Sequence, residues 1–137
     1  MIREESINIP FQFAAGKAGS AFLIALRDRQ QIIGSHCQDC ARTLAPARPY
    51  CPECGGENLQ GVDIGPGAHL VSWTDVPEYG VFALLRPDGA DTAMVHKLLG
   101  SPTDLQPGIR LRAVFASQRQ GHISDIAGFE IVSEGAP

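Results

Sequence analysis

No stretch of this 137-residue chain approaches the roughly 20 consecutive apolar residues that a membrane-spanning helix needs, so no membrane partner is expected. The opening Met1-Ile2-Arg3-Glu4-Glu5 is acidic where a secretory leader carries its basic region, which predicts a cytoplasmic location. Basic residues are scarce as well. Eleven Lys and Arg face fifteen Asp and Glu, a net charge of −4, and that disfavours a general polyanion binder. Internal repeats are absent. Charged residues make up only 19% against 44% hydrophobic, too apolar a balance for a disordered chain. At this length the sequence suits one domain, or one modest domain with a small satellite.

What is present falls into three parts: a helical segment over 1–34, a Cys/Pro/Gly-rich segment over 35–62 and a β-rich segment over 63–137. Residues 18–29 place Phe22, Ala25, Leu26 and Arg29 at helical spacing, with Ser20 available as an N-cap. Ile32-Ile33 before Gly34 reads as a brief strand. The segment 35–62 has almost no apolar periodicity and cannot build a core of its own, so a bound metal must supply what the core does not. From Gly65 onward, runs such as LVSWTDV, GVFALL, TAMVHKLL, IRLRAVF and FEIV alternate with turn residues. The clearest is 109–115: Ile109, Leu111, Ala113 and Phe115 make one face, and Arg110 and Arg112 lie on the other. Five short strands in about 70 residues suit a five-stranded OB-fold barrel. Only the tail at 133–137 looks loose.

The strongest chemical signal is Cys37-Gln38-Asp39-Cys40, ten residues, then Cys51-Pro52-Glu53-Cys54. Each C-x-x-C turn aims two sulfurs at one point, and a ten-residue hairpin can bring the pairs together. In a reducing compartment such pairs indicate metal before disulfide. Zinc is the preferred reading; iron in the same sulfur cage is the competitor, and a redox pair or four free thiols are the blander alternatives. Four sulfur ligands leave no open coordination position, so the site is expected to be structural, and no thiol remains as a nucleophile.

The histidines are less informative. His36 adjoins Cys37, His96 falls on a strand-like run, and neither they nor His69 and His122 stand in a recognisable arrangement with a nucleophile and an orienting acid. Sequence proximity of His69, Ser72 and Asp75 does not make a triad. Gly16-Lys17-Ala18-Gly19-Ser20 lacks the spacing of a phosphate-binding loop and reads as a loop before a helix. Gly65-Pro66-Gly67 reads as a turn. Trp73, Tyr79, Phe82, Phe115 and Phe129 are expected mostly in the core, and Arg110, Arg112 and Arg119 make either a small basic patch or a solvated strand face. A single-stranded nucleic-acid module therefore has thin support, as does an autonomous thioesterase.

Taken in order, these residues resemble a known family that joins an N-terminal helix, a rubredoxin-like zinc ribbon and an OB-fold, and whose members partner thiolase-like enzymes of acyl-CoA metabolism. The resemblance rests on Phe22 and Leu26, on Gly34 before Cys37 and Cys40, and on Ala47-Arg48-Pro49-Tyr50-Cys51-Pro52-Glu53-Cys54-Gly55. It continues through Gly65-Pro66-Gly67, Ser72-Trp73-Thr74 and Gly108-Ile109-Arg110-Leu111-Arg112. One departure is Ala45-Pro46-Ala47-Arg48, where family members more often carry an aromatic followed by two prolines and arginine. The resemblance implies a mainly β protein, a non-catalytic accessory subunit in a hetero-oligomer with a thiolase, an aldolase or an acyltransferase. It implies that ribbon and helix dock on that partner while the OB-fold helps form an acyl-CoA site, with Arg48, Arg110 and Arg112 as candidates to meet coenzyme A phosphates.

Overall fold

The structure, a computed structural model, describes residues 1–133; most of the tail expected to be loose, 134–137, lies outside the described residues. Residues 1–15 carry no regular secondary structure. Helix α1, Gly16–Arg29, buries Phe22, Ala25 and Leu26, the i, i+3, i+4 stripe that its sequence predicts. It begins earlier than Ser20 would allow as a cap. Its N-cap is Ala15, which makes no side-chain hydrogen bond, so Ser20 lies inside the helix and the Gly16–Ser20 stretch is its first turn, not a loop. Packing of the apolar stripe, not capping, sets this start. The helix ends where Gln30 turns left-handed (φ 48°) and returns its N–H to the Ala25 carbonyl. Arg27 and Arg29 sit in the last turn, where the helix dipole favours cations.

The first sheet has the order β2-β1-β3, all antiparallel, with β1 at Ile32–Cys37, β2 at Thr43–Leu44 and β3 at Leu59–Ile64. The strand expected at Ile32-Ile33 thus runs on to the first cysteine. β3 pairs with it along six positions, from Ile32 opposite Ile64 to Cys37 opposite Leu59. The sequence reading does not foresee β3, because its burial is irregular and Val62 and Ile64 alternate with polar residues only over its second half. Gly34 is required in β1. A Cβ there would stand 2.5 Å from the Leu44 carbonyl oxygen and 3.1 Å from the Ile64 side chain, so any other residue would part the strands.

The second sheet has five antiparallel strands in the order β6-β5-β4-β7-β8: β4 Gly67–Val76, β5 Gly80–Pro87, β6 Met94–Lys97, β7 Arg110–Phe115 and β8 Ile126–Ile131. A parallel bridge between Leu98 and Phe129, with the Leu99 N–H on the Phe129 carbonyl at 2.8 Å, ties the two outer strands. The sheet therefore curls into an OB-like form that is only partly closed. In β7 the predicted alternation holds, Leu111 and Ala113 buried and Arg110 and Arg112 exposed. The aromatics are less buried than expected. Phe129 alone of the five is fully buried, Phe82 and Phe115 are half-buried, and Trp73 and Tyr79 are exposed. A register shift between Leu70 and Ser72 sets Trp73 opposite the buried Ala83, yet Trp73 itself is 41% exposed.

One apolar cluster unites the molecule. Phe22 and Leu26 of α1, Ile32 of β1, Ala45 and Ile64 pack with Leu70, Leu85, Leu98, Leu111, Ile126 and Phe129 of the OB-like sheet. Polar ties reinforce it: the Asp91 carboxylate accepts from the Thr43 N–H at 2.8 Å, and the Thr92 hydroxyl accepts from the Ala45 N–H at 2.8 Å. Arg119 closes the other end, donating from Nε to the Arg27 carbonyl at the end of α1 and from its guanidinium to the Ala116 carbonyl. It serves as a clamp and not as part of a basic patch with Arg110 and Arg112. Among the described residues no helix is long and apolar enough to cross a membrane.

Candidate metal centre and basic groove

Cys37 ends β1, and Cys40 lies in the turn after it; Cys51 and Cys54 occupy a second turn of the same build. In the first, the Ala41 N–H returns to the Cys37 carbonyl at 2.9 Å with Ala41 left-handed (φ 61°). In the second, the Gly55 N–H returns to the Cys51 carbonyl at 2.8 Å with Gly55 left-handed (φ 72°). The two knuckles are thus copies of one backbone device, and glycine relieves the strain in only one of them. Arg42 spans the gap to Glu53 at 3.5 Å, and Asn58 lies 3.5 Å from the Asp39 carboxylate.

The four sulfurs converge, all within 4.8 Å of one another. Cys37 and Cys54 are 3.6 Å apart, and Cys40 and Cys51 are 3.5 Å apart. These separations are far beyond a disulfide bond but close to the edge of about 3.8 Å that a tetrahedron of sulfurs has around zinc at about 2.3 Å. Electrostatics favour a cation there. The N–H groups of Cys54 and Glu53 pull the Cys51 thiol down to about 7, against its burial. At Cys40 the Arg42 N–H pulls down, but the crowding sulfur of Cys51 and burial prevail and push the thiol up to about 12. Sulfurs this close cannot all be thiolates without a positive centre, and a bound divalent metal removes the conflict. The residues present fit a closed, four-sulfur structural site. His36 lies outside this convergent set, with its Nδ1 2.9 Å from the Thr43 hydroxyl.

The other predicted site residues are dispersed. Arg48 is exposed beside the ribbon, its backbone fixed on both sides by Ser35: the Arg48 N–H donates to Ser35 Oγ at 2.8 Å, and Oγ donates to the Arg48 carbonyl at 3.0 Å. With Lys17, Ala21, Ile33, Glu57 and Leu59 it lines a groove of about 300 Å³ between α1 and the first sheet. Sequence reasoning missed this groove because Lys17 and Arg48, 31 positions apart, are brought together only by the packing of α1 on β1.

Arg110 and Arg112 share the exposed face of β7, with Arg112 opposite Glu130 of β8. Arg110 is occupied by Asp88, its two guanidinium nitrogens reaching the two carboxylate oxygens at 2.7 and 2.6 Å. That hydrogen-bonded pairing holds the Asp88 carboxyl below the usual carboxylate range. His69 stands against both, 3.5 Å from Asp88 and 3.1 Å from the Arg110 guanidinium, and not with Ser72 and Asp75. His96 on β6 is hydrogen-bonded within the fold: its Nδ1 accepts from the Lys97 N–H at 2.9 Å, its Nε2 lies 3.4 Å from the Ile123 carbonyl, and burial lowers its pKa.

Comparison with known proteins bears on both the ribbon and the whole. Residues 25–60 match the family model described as "ChsH2, rubredoxin-like zinc ribbon domain". A DUF35 domain-containing scaffold protein of Pyrococcus furiosus is 28% identical over 86 residues, which are 59% of this chain and 62% of that relative's length. Among solved structures, an Ltp2-ChsH2(DUF35) aldolase superposes with a TM-score of 0.61 at 17% identity, covering 88% of this chain and 98% of that one. A DUF35-family protein of unknown function from Sulfolobus solfataricus gives 0.64 at 23% identity, covering 85% and 84%. Both share the fold. With a zinc ribbon as the matching family model, the four cysteines make a structural zinc site, and the resemblance read from the sequence is borne out: residues 25–60 match a rubredoxin-like zinc ribbon of the ChsH2 type, and the chain joins it to an OB-like sheet in a fold shared with DUF35 structures.

Proposed function

We propose that this chain is a non-catalytic accessory subunit of a thiolase-like acyl-CoA enzyme, whether a thiolase, an aldolase or an acyltransferase. The observation that carries the reading is the ribbon stitched to an OB-like sheet, a fold shared with a ChsH2(DUF35) chain named with an aldolase, in a protein similar to one described as a scaffold. The chemistry agrees: all four cysteines converge on one closed site, which leaves no thiol for acyl transfer. The same reading assigns 1–34 and the ribbon, 35–62, to docking and 63–137 to shaping the acyl-CoA site, in a cytoplasmic hetero-oligomer.

Coenzyme A brings phosphates, and arginine is suited to them by its forked donors. Arg48, with Lys17 at the same groove, and Arg112, which has no ion-pair partner among the described residues, are the better placed candidates. Arg110 would serve while still holding Asp88. The test is to purify the tagged chain gently from its native host and identify by mass spectrometry what co-elutes in stoichiometric amount. A thiolase-like protein is expected, and Arg48→Ala should then weaken acyl-CoA binding to the complex. Elution alone, or with nucleic acid, would overturn the reading.

A further inference from the structure

The segment ahead of α1 carries its own pattern. Ile7, Ile9, Phe11 and Phe13 are 83, 70, 77 and 78% exposed, and Asn8, Pro10 and Gln12 stand between them. A period of two is that of a strand with one apolar face. The rings of Phe11 and Phe13 stack 6.1 Å apart at 28°, so these two side chains share a face. In an extended chain the backbone polar groups of alternate residues point to the same edge. Those of 7, 9, 11 and 13 leave one edge with every N–H intact, while Pro10 removes a donor from the other. Such a strand can pair on one side only.

We propose that residues 7–13 are a docking strand that adds to an open sheet edge of the catalytic partner and seats these four side chains in an apolar trough beside it. The inference rests on the accessory-subunit reading for the partner's identity. A buried phenylalanine contributes on the order of 150–250 Å². Two with two isoleucines therefore approach the roughly 800 Å² per partner of a stable interface. A lipid surface fits poorly, because Glu4 and Glu5 accompany Arg3 and the spacing is not helical. A second copy of this chain fits poorly too. Among the described residues, β2 is two residues long and β6 and β8 are joined through the Leu98–Phe129 bridge, which leaves the outer edge of β3. The groove beside β3 is about 300 Å³ and carries Lys17, Arg48 and Glu57, too small and too charged for four bulky apolar groups.

The experiment places the photo-crosslinker p-benzoylphenylalanine at Phe11 of the full chain. In parallel it compares the wild type with the double variant Ile9→Asp, Phe11→Asp for binding to the purified thiolase-like protein identified by co-elution. A cross-link on an edge strand of that protein is expected, with affinity reduced roughly 100-fold in the variant. Zinc content and melting temperature should not change, since the replaced side chains are exposed. Affinity within about threefold of wild type, a cross-link to a second copy, or no cross-link would overturn the docking strand. A thiolase-like protein bound equally by both forms would leave the accessory reading standing and remove the docking strand. A cross-linked edge strand on a protein of another kind would do the reverse.

Discussion

The ribbon tip and the OB-like sheet reach stability by different means. Around the knuckles the buried apolar cluster is Cys37, Leu44 and Cys51, with only Cys40 and Leu59 packed against it, so two of the three core members are themselves metal ligands. The sheet instead shares the large cluster centred on Leu70, Leu85, Leu111 and Phe129, where each fully buried side chain contributes about 1.5–3 kcal/mol. One region is held by a few strong bonds and the other by many weak ones. Ala45 within the ribbon, and Ile32 and Ile64 on either side of it, belong to the sheet's cluster, so the dependence on metal is confined to the tip.

The largest effect should come from breaking the metal site. Cys51→Ser removes a thiolate from a set whose zinc affinity in comparable small sites is worth about 10–16 kcal/mol, and the tip has no core to replace it. Hydrogen exchange should show protection lost over 37–59 and kept in β4, β5 and β7; collapse of both regions would end the distinction drawn between them. Next is Phe129→Ala, expected to cost about 3–5 kcal/mol through the cavity it leaves, measured by urea unfolding, with zinc content per folded molecule unchanged.

A smaller effect is expected at Asp125, buried where β8 begins. Burial raises its pKa, but the N–H groups of Gln120, Gly121 and His122, with Arg119 nearby, outweigh that and hold it below the usual range. A lowered folded pKa means that this stabilisation is full above the unfolded value of about 3.9 and is lost as pH falls through the folded one. Asp125→Asn should therefore cost about 1–3 kcal/mol near neutrality and flatten the acid limb of the stability curve. The smallest is Arg110→Ala. Arg110 and Asp88 are 46% and 40% exposed, and such a pair contributes at most about 1 kcal/mol, so the melting temperature should barely move. Unchanged acyl-CoA affinity of the complex would remove Arg110 from the proposed site.

Much of this was legible in the residues. The C-x-x-C pairs announce their geometry because two residues between cysteines dictate a tight turn whatever surrounds it. Leu111 and Ala113 announce a half-buried strand because alternation is local. The failures share one cause. Ser20 fits an N-cap by residue type, yet α1 starts earlier because Phe22, Ala25 and Leu26 pack on the core. Trp73 is aromatic in a strand and stands opposite the buried Ala83, yet the fold leaves it exposed. β3 forms because β1 offers it a partner, which its own sequence does not reveal.

The four-sulfur site, the succession of helix, ribbon and five strands, and the lack of a spare thiol all follow from residue types at short separations. That Arg110 is held by Asp88, that Arg48 meets Lys17 in a groove, and that the helix and the ribbon's base share the sheet's core emerge only once the chain is packed. Those pairings join residues tens of positions apart, and their distances are fixed by packing, which no local pattern encodes.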